Sequence, residues 1–253
     1  MAAMSARFNK CWSATGCVNG EGNTEAMLKN EAQWLSARLA TLTLDEGPLL
    51  NVGASSAVFR ETIQPWIDAQ VFAPLRARGL PVIHQDLQDE PGIDISGSLY
   101  DAACQDLIRR HEVRSILCSN VLEHVADPAQ FAQILYSLLP PGGRLIVTVP
   151  HSFPYHPDPI DTLFRPTTRE LIALFPELEV VQAQLVRCGR LHNLVTENPG
   201  QLLSKLTGRS IKRAQPNQAT PLLSWLIPWT FSPFQVTCVD LVKREPTKDT
   251  PRA

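Results

Sequence analysis

The sequence predicts an α/β fold: a doubly wound, mostly parallel sheet covered by helices on both faces. Three observations predict it. Short apolar strands alternate with helical stripes along the first 150 residues, the pattern of a parallel sheet with crossover helices. Of 253 residues, 44% are hydrophobic and 19% charged, enough apolar material for one large domain and too little charge for disorder. Twenty-one prolines against thirteen glycines argue against an all-helical bundle.

Residues 1–23 are polar and glycine-rich and read as a loose arm, residues 24–246 as a single domain, and residues 247–253 as a polar tail. Leu28, Ala32, Leu35, Leu39 and Leu42 recur at helical spacing, with Thr24 as N-cap and Asp45-Glu46-Gly47-Pro48 as the stop. Leu49 to Val52 is a short apolar strand that runs into Gly53-Ala54-Ser55-Ser56. Small side chains there either let a nucleotide-type ligand approach bare backbone or make a simple tight turn. Residues 57–79 read as helical, interrupted by Pro65 and Pro74.

A second strand, Leu80 to Leu87, carries Asp86 near its end, where a carboxylate either accepts bonds from ribose hydroxyls or caps a loop. Ile93-Asp94-Ile95 is a brief third strand and Val113 to Asn120 a fourth. Asp127-Pro128 opens a helix whose buried stripe is Phe131, Ile134, Leu135 and Leu138, stopped by Pro140-Pro141-Gly142-Gly143. Arg144 to Val149 is the fifth strand, and Thr167-Thr168-Arg169-Glu170 is a capping box that opens another helix.

A net charge of -2 gives no footprint for wrapping nucleic acid. None of the six cysteines forms a Cys-x-x-Cys pair, and a chain of this length needs no disulfide staples, which favours a reducing, cytoplasmic setting. The N-terminal residues lack the apolar run of a secretory signal, and no stretch is long enough for a membrane span.

Asn120-Val121-Leu122-Glu123-His124-Val125, then Asp127-Pro128, then Leu139-Pro140-Pro141-Gly142-Gly143-Arg144-Leu145-Ile146-Val147-Thr148-Val149-Pro150 resemble the central block of class I S-adenosylmethionine-dependent methyltransferases. The small-molecule type, with its "LEHV…PGG" pattern, is the most similar. Weaker similarity runs from about Leu49 to Phe175, and Phe234 to Val242 fits the closing strand. The resemblance implies a seven-stranded, Rossmann-like sheet with S-adenosylmethionine across the C-terminal ends of its first strands. It assigns Gly53, Ala54 and Ser55 to the loop beneath the methionine part, and Asp86 to the ribose. Ser98 and Leu99 fall where the adenine is read, and Asn120 falls beside the sulfonium. Asn51, Ser98 and Ser115 stand where acids are frequent, and one glycine stands where the loop often has more.

Methyl transfer is an in-line displacement in which the cofactor supplies the reactive group, so the protein holds the nucleophile on axis and can remove its proton. The loop after the fifth strand offers His151 and His156 as bases, with Asp161 either orienting one of them or pairing with Arg165 four residues on. His151, His156, Asp158 and Asp161 make a weak metal set, and no metal is expected.

An insertion at about 191–233 is basic in its middle, with Lys205, Arg209, Lys212 and Arg213, and ends near Trp225 and Trp229. It reads as a lid or homodimer contact, or as a peripheral membrane contact that would suit a lipid-like substrate. The function expected is transfer of a methyl group to an oxygen or nitrogen of a small molecule, glycan or lipid-linked acceptor. The alternative is an inactive methyltransferase-like binding or scaffold protein, which the single-glycine loop would suit. The absence of a three-glycine fingerprint disfavours a nicotinamide-dependent oxidoreductase.

Overall fold

The computed structural model describes residues 27–155, 160–190 and 232–245. Helix α1 (Lys29–Leu39) precedes strand β1 (Leu49–Val52). A broken helical run follows, made of Phe59–Ile63, Pro65–Ile67, Asp68–Phe72 and Ala73–Ala77. Then come β2 (Val82–Asp86), β3 (Ile95–Ser96), α2 (Ala102–Arg110), β4 (Ser115–Ser119), α3 (Pro128–Leu138), β5 (Arg144–Ser152), α4 (Thr168–Ala173), β6 (Leu178–Arg187) and β7 (Gln235–Lys243).

The seven strands form one sheet in the order β3-β2-β1-β4-β5-β7-β6. Neighbours run parallel except at β7, which is antiparallel to both β5 and β6. Each face carries its own core. Leu50, Val52, Ile116, Leu145 and Val147 pack with α2, α3 and α4 on one side. Leu49, Leu117, Ile146 and Cys238 pack with α1 and the broken helical run on the other. Burial on both faces explains why β1 and the heart of β5 are apolar runs rather than alternating ones.

Local chemistry accounts for the element ends. Asp127 accepts a bond from the Gln130 amide at 3.0 Å and Pro128 fills the first turn of α3. Thr167 and Glu170 exchange capping bonds at the start of α4, as the sequence predicts. Pro65 breaks the helical run by pushing Gln64 to φ -126°, ψ 68°. Pro74 does not break it, because it lies in the first turn of Ala73–Ala77, where no N–H is needed. Helix α1 ends at Leu39, before Leu42, which is nonetheless buried. The expected cap Thr24 lies outside the described residues.

One buried ion triad ties three elements together. Asp240 of β7, fully buried, takes Arg144 Nε at 2.7 Å and Nη2 at 2.6 Å, and Arg38 Nε of α1 at 2.8 Å. Removing the carboxylate takes this acid from both guanidinium groups and leaves Arg144 with Glu46 at 3.9 Å. Asp240→Ala is expected to cost about 3–5 kcal/mol, read as a lower urea midpoint with secondary structure retained below the transition.

Candidate active site at the carboxyl edge of the sheet

Strands β1 and β4 are neighbours whose chain connections depart to opposite sides of the sheet. Ligands of open α/β sheets bind in the crevice beyond the carboxyl ends at such a point. The turn after β1 is held there by β2. Gly53 has φ +67°, and a Cβ on it would fall 2.6 Å from Val121 Cγ2, so only glycine fits. Ala54 N donates to Gln85 O at 2.9 Å, and Ser55 N donates to Asp86 Oδ2 at 2.8 Å. Gln88 N donates to the other Asp86 oxygen at 3.2 Å. Ser55 itself is left-handed, at φ +55°.

Beside this turn lies a cavity of about 60 Å³ lined by Asn51, Ala54, Phe59, Arg60, Ser119 and Asn120, among others. Asn51 Nδ2 donates to His84 Nδ1 at 3.1 Å. Burial, with help from the Arg60 charge, pushes His84 down to about 4, so the ring is neutral at pH 7 and Nδ1 is free to accept.

The opposite wall is a knot around Glu31 of α1, a residue that the sequence reading did not single out. Its Oε1 accepts from Thr148 Oγ1 at 2.6 Å, Asn120 Nδ2 at 2.9 Å and Ser119 Oγ at 3.1 Å, while Oε2 takes Leu28 N at 3.2 Å. Burial raises its pKa, and these four bonds oppose the rise. Asn120, at φ +53°, also donates its backbone N–H to Thr148 O at 2.9 Å.

A second acid, quoted in the motif after the fourth strand but given no role there, is Glu123, fully buried in the turn after β4. Neither carboxyl oxygen meets a hydrogen-bond donor of another residue among the described residues. His124 Nε2 lies 3.7 Å away, and His124 Nδ1 is 2.6 Å from Ile160 O, so Nδ1 carries the proton. Desolvation lifts Glu123 to about 8, more than the nearby Arg165 charge can offset.

His151 stands at the end of β5 with Nδ1 3.0 Å from Pro166 O. A carbonyl only accepts, so Nδ1 is the protonated nitrogen and Nε2 of the neutral ring keeps a basic lone pair. Asp161 forms the ion pair with Arg165: Nη2 lies 2.6 Å from Oδ2 and Nη1 3.0 Å from Oδ1, with Leu163 N on Oδ1 at 2.8 Å. Ser98 Oγ accepts from Tyr100 N at 3.2 Å, in the turn after β3. Leu99 is buried in the core beneath α2. His156 and the stretch 191–231 lie outside the described residues.

A family model described as "Methyltransferase domain" matches residues 30–214. The chain belongs to this methyltransferase family, and its seven-stranded sheet has the Rossmann-like form expected from the resemblance. No curated protein matches it. Among solved structures it is similar to the [4+2]-cyclase SpnF, at 13% identity and TM-score 0.49 over 95% of this chain and 93% of that one. It is also similar to a Burkholderia thailandensis 1,6-didemethyltoxoflavin-N1-methyltransferase, at 16% identity and TM-score 0.45 over 96% and 88% of the two chains. A Thiobacillus denitrificans S-adenosylmethionine-dependent methyltransferase matches at 15% identity and TM-score 0.46 over 94% and 98%.

Glu123 gives a pH prediction. Its folded pKa of about 8 lies above the ordinary 4.5, so the folded state binds the proton more tightly. The stability it lends is complete below pH 4.5 and is lost as pH rises to about 8. Denaturant midpoints are therefore expected to fall across that window in the wild type. The fall should be smaller in Glu123→Gln, by on the order of a few kcal/mol once midpoints are converted to unfolding free energies.

Proposed function

We propose that the protein transfers a methyl group from S-adenosylmethionine to an oxygen or nitrogen of a small-molecule, glycan or lipid-linked acceptor. The observation that carries this reading is the junction of the β1 turn with Asp86 at the β1–β4 switch point. The donor set suits the cofactor. Asp86 is only part-buried, and each of its oxygens takes one backbone N–H, leaving acceptor capacity for a ribose diol. Gly53, Ala54 and Ser55 offer backbone and small side chains to the methionine part, Asn120 an amide at the end of β4, and Ser98 a hydroxyl beyond β3. Leu99, packed in the core, would support that last turn from beneath rather than meet the ring.

The half-open cavity of about 60 Å³ is far below the several hundred Å³ of a typical ligand pocket. It would take one end of the cofactor, and the rest would lie along the rim beside Asp86. When bound, the cofactor supplies an activated methyl group on a sulfonium. This chain's residues would then hold the acceptor on axis and take its proton. His151 is suited to the second task through Nε2, and His156, five residues on, is the other candidate. Asp161, paired with Arg165, would brace the loop that carries them.

Two outcomes test the reading. Asp86→Ala should weaken S-adenosylhomocysteine binding roughly 10- to 100-fold by calorimetry, the loss of a charge-assisted bond, with an unchanged circular dichroism spectrum. Equal affinity would reject the ribose assignment. His151→Ala should lower turnover by about 10²–10⁴ at unchanged cofactor affinity, and an undiminished rate would move the base elsewhere.

A further inference from the structure

The turn after β1 adopts a shape that glycine would supply freely, yet two of its three residues carry side chains. Ser55 is left-handed at φ +55°, a region that costs an L-residue energy. What holds it there comes from the helical run that follows. Arg60, buried to 3% exposure, donates through Nη1 to Ala54 O at 3.0 Å and also to Ser55 O. Its Nη2 donates to Gly92 O at 2.9 Å. Gly92 lies in the loop between β2 and β3, and a Cβ there would fall 2.5 Å from Ala57 Cβ and 3.1 Å from Arg60 Nη2. Ala57 N bonds Pro91 O at 2.8 Å, closing the same contact. One guanidinium thus spans the two loops that flank Asp86, meeting their carbonyls while Gln85 and Asp86 hold the N–H groups of the first.

We propose that Arg60 is a positioning residue for the cofactor site, fixing through three backbone carbonyls the strained turn that glycines shape elsewhere, and so setting the spacing of the walls on either side of Asp86. This rests on the reading of that turn as the S-adenosylmethionine site. A fork of donors in one plane is needed to reach carbonyls of two loops at once, which a lysine ammonium cannot reproduce. Burial lowers the Arg60 pKa against the opposing charges of Glu61, Asp68 and Asp94, while the carbonyls engage both Nη groups and Nε meets no acceptor among the described residues.

The test compares wild type, Arg60→Met, Arg60→Lys, Ser55→Gly and the Arg60→Met/Ser55→Gly double variant. Folding is followed by circular dichroism, S-adenosylhomocysteine affinity by calorimetry, and donor KM and kcat separately. The expected result is an affinity roughly tenfold or more weaker in Arg60→Met and an intermediate loss in Arg60→Lys. Donor KM should rise while kcat at saturating donor stays near the wild-type value, since no group that meets the acceptor has changed. Ser55→Gly, which removes the left-handed penalty, should restore part of the affinity in the double variant. If Arg60→Met does not fold, the Arg60→Lys pair with and without Ser55→Gly gives the same comparison. Wild-type affinity in a folded Arg60 variant overturns the proposal, and so does a double variant no tighter than the single one. Wild-type protein that gives no heat with S-adenosylhomocysteine overturns the cofactor reading itself, a result distinct from either.

Discussion

The bond from Ser55 N to the Asp86 carboxylate is the constraint on which the site depends. It turns the acid at the end of β2 into a structural anchor before any ligand arrives. The same carboxylate then cannot drift from the turn after β1, so the two features that the resemblance assigns to one cofactor are held at a fixed spacing. A charged acceptor suits this task, because its bonds to N–H groups are shorter and stronger than neutral ones. The turn is left with little freedom: N–H groups on β2, carbonyls on Arg60, and Gly53 against Val121. Rigidity of this kind lowers the ordering cost of binding.

Three fully buried acids near the sheet are treated in three ways. Asp240 meets two guanidinium groups, so its charge is paired. Glu31 meets four neutral donors, which compete with desolvation for its proton. Glu123 meets no donor from another residue among the described residues, and desolvation prevails, lifting it to about 8. The gradient follows position. The ion triad braces the β5–β7 pair, while the two less well compensated acids sit where β4 and β5 end, beside the crevice. Buried groups with displaced proton affinities cluster at functional sites for this reason, and Asn120 donates to Glu31 while Glu123 follows it by three residues.

Much of the fold was legible because it rests on local signals. Caps and stops such as Asp127-Pro128 and Thr167 to Glu170 act within a few residues, and the central strands are apolar on both faces. Helix α2 and strand β6 gave no such signal. Helix α2 buries only Cys104 and Ile108, too narrow a stripe to stand out, and β6 exposes Val180, Val181 and Leu185 in an order that a bulge disturbs. At the site, the resemblance pointed to Asp86 and the small residues of the turn, which the fold brings into contact. Glu31 and Arg60 could not be read from position, since their partners lie 117 and 32 residues away for Thr148 and Gly92. Only the packed fold brings them together.

The missing acids follow the same logic. At Asn51 the neighbour on β2 is His84, whose ring burial keeps neutral, and the Asn51 amide supplies the donor that Nδ1 accepts at 3.1 Å. At Ser115 the hydroxyl donates to Glu46 O at 2.7 Å, a bond that no carboxylate could make. In both places a neutral donor meets an acceptor already present. The carboxyl edge of this sheet already confines Glu31 close enough to Glu123 to raise the proton affinity of Glu123. A further buried anion at Asn51, which lines the same cavity as Asn120, would add repulsion where desolvation is already severe. The neutral residues at Asn51 and Ser115 therefore fit the acceptors they meet, and Asp86, part-buried with one backbone N–H on each oxygen, stands apart from these buried acids at the rim.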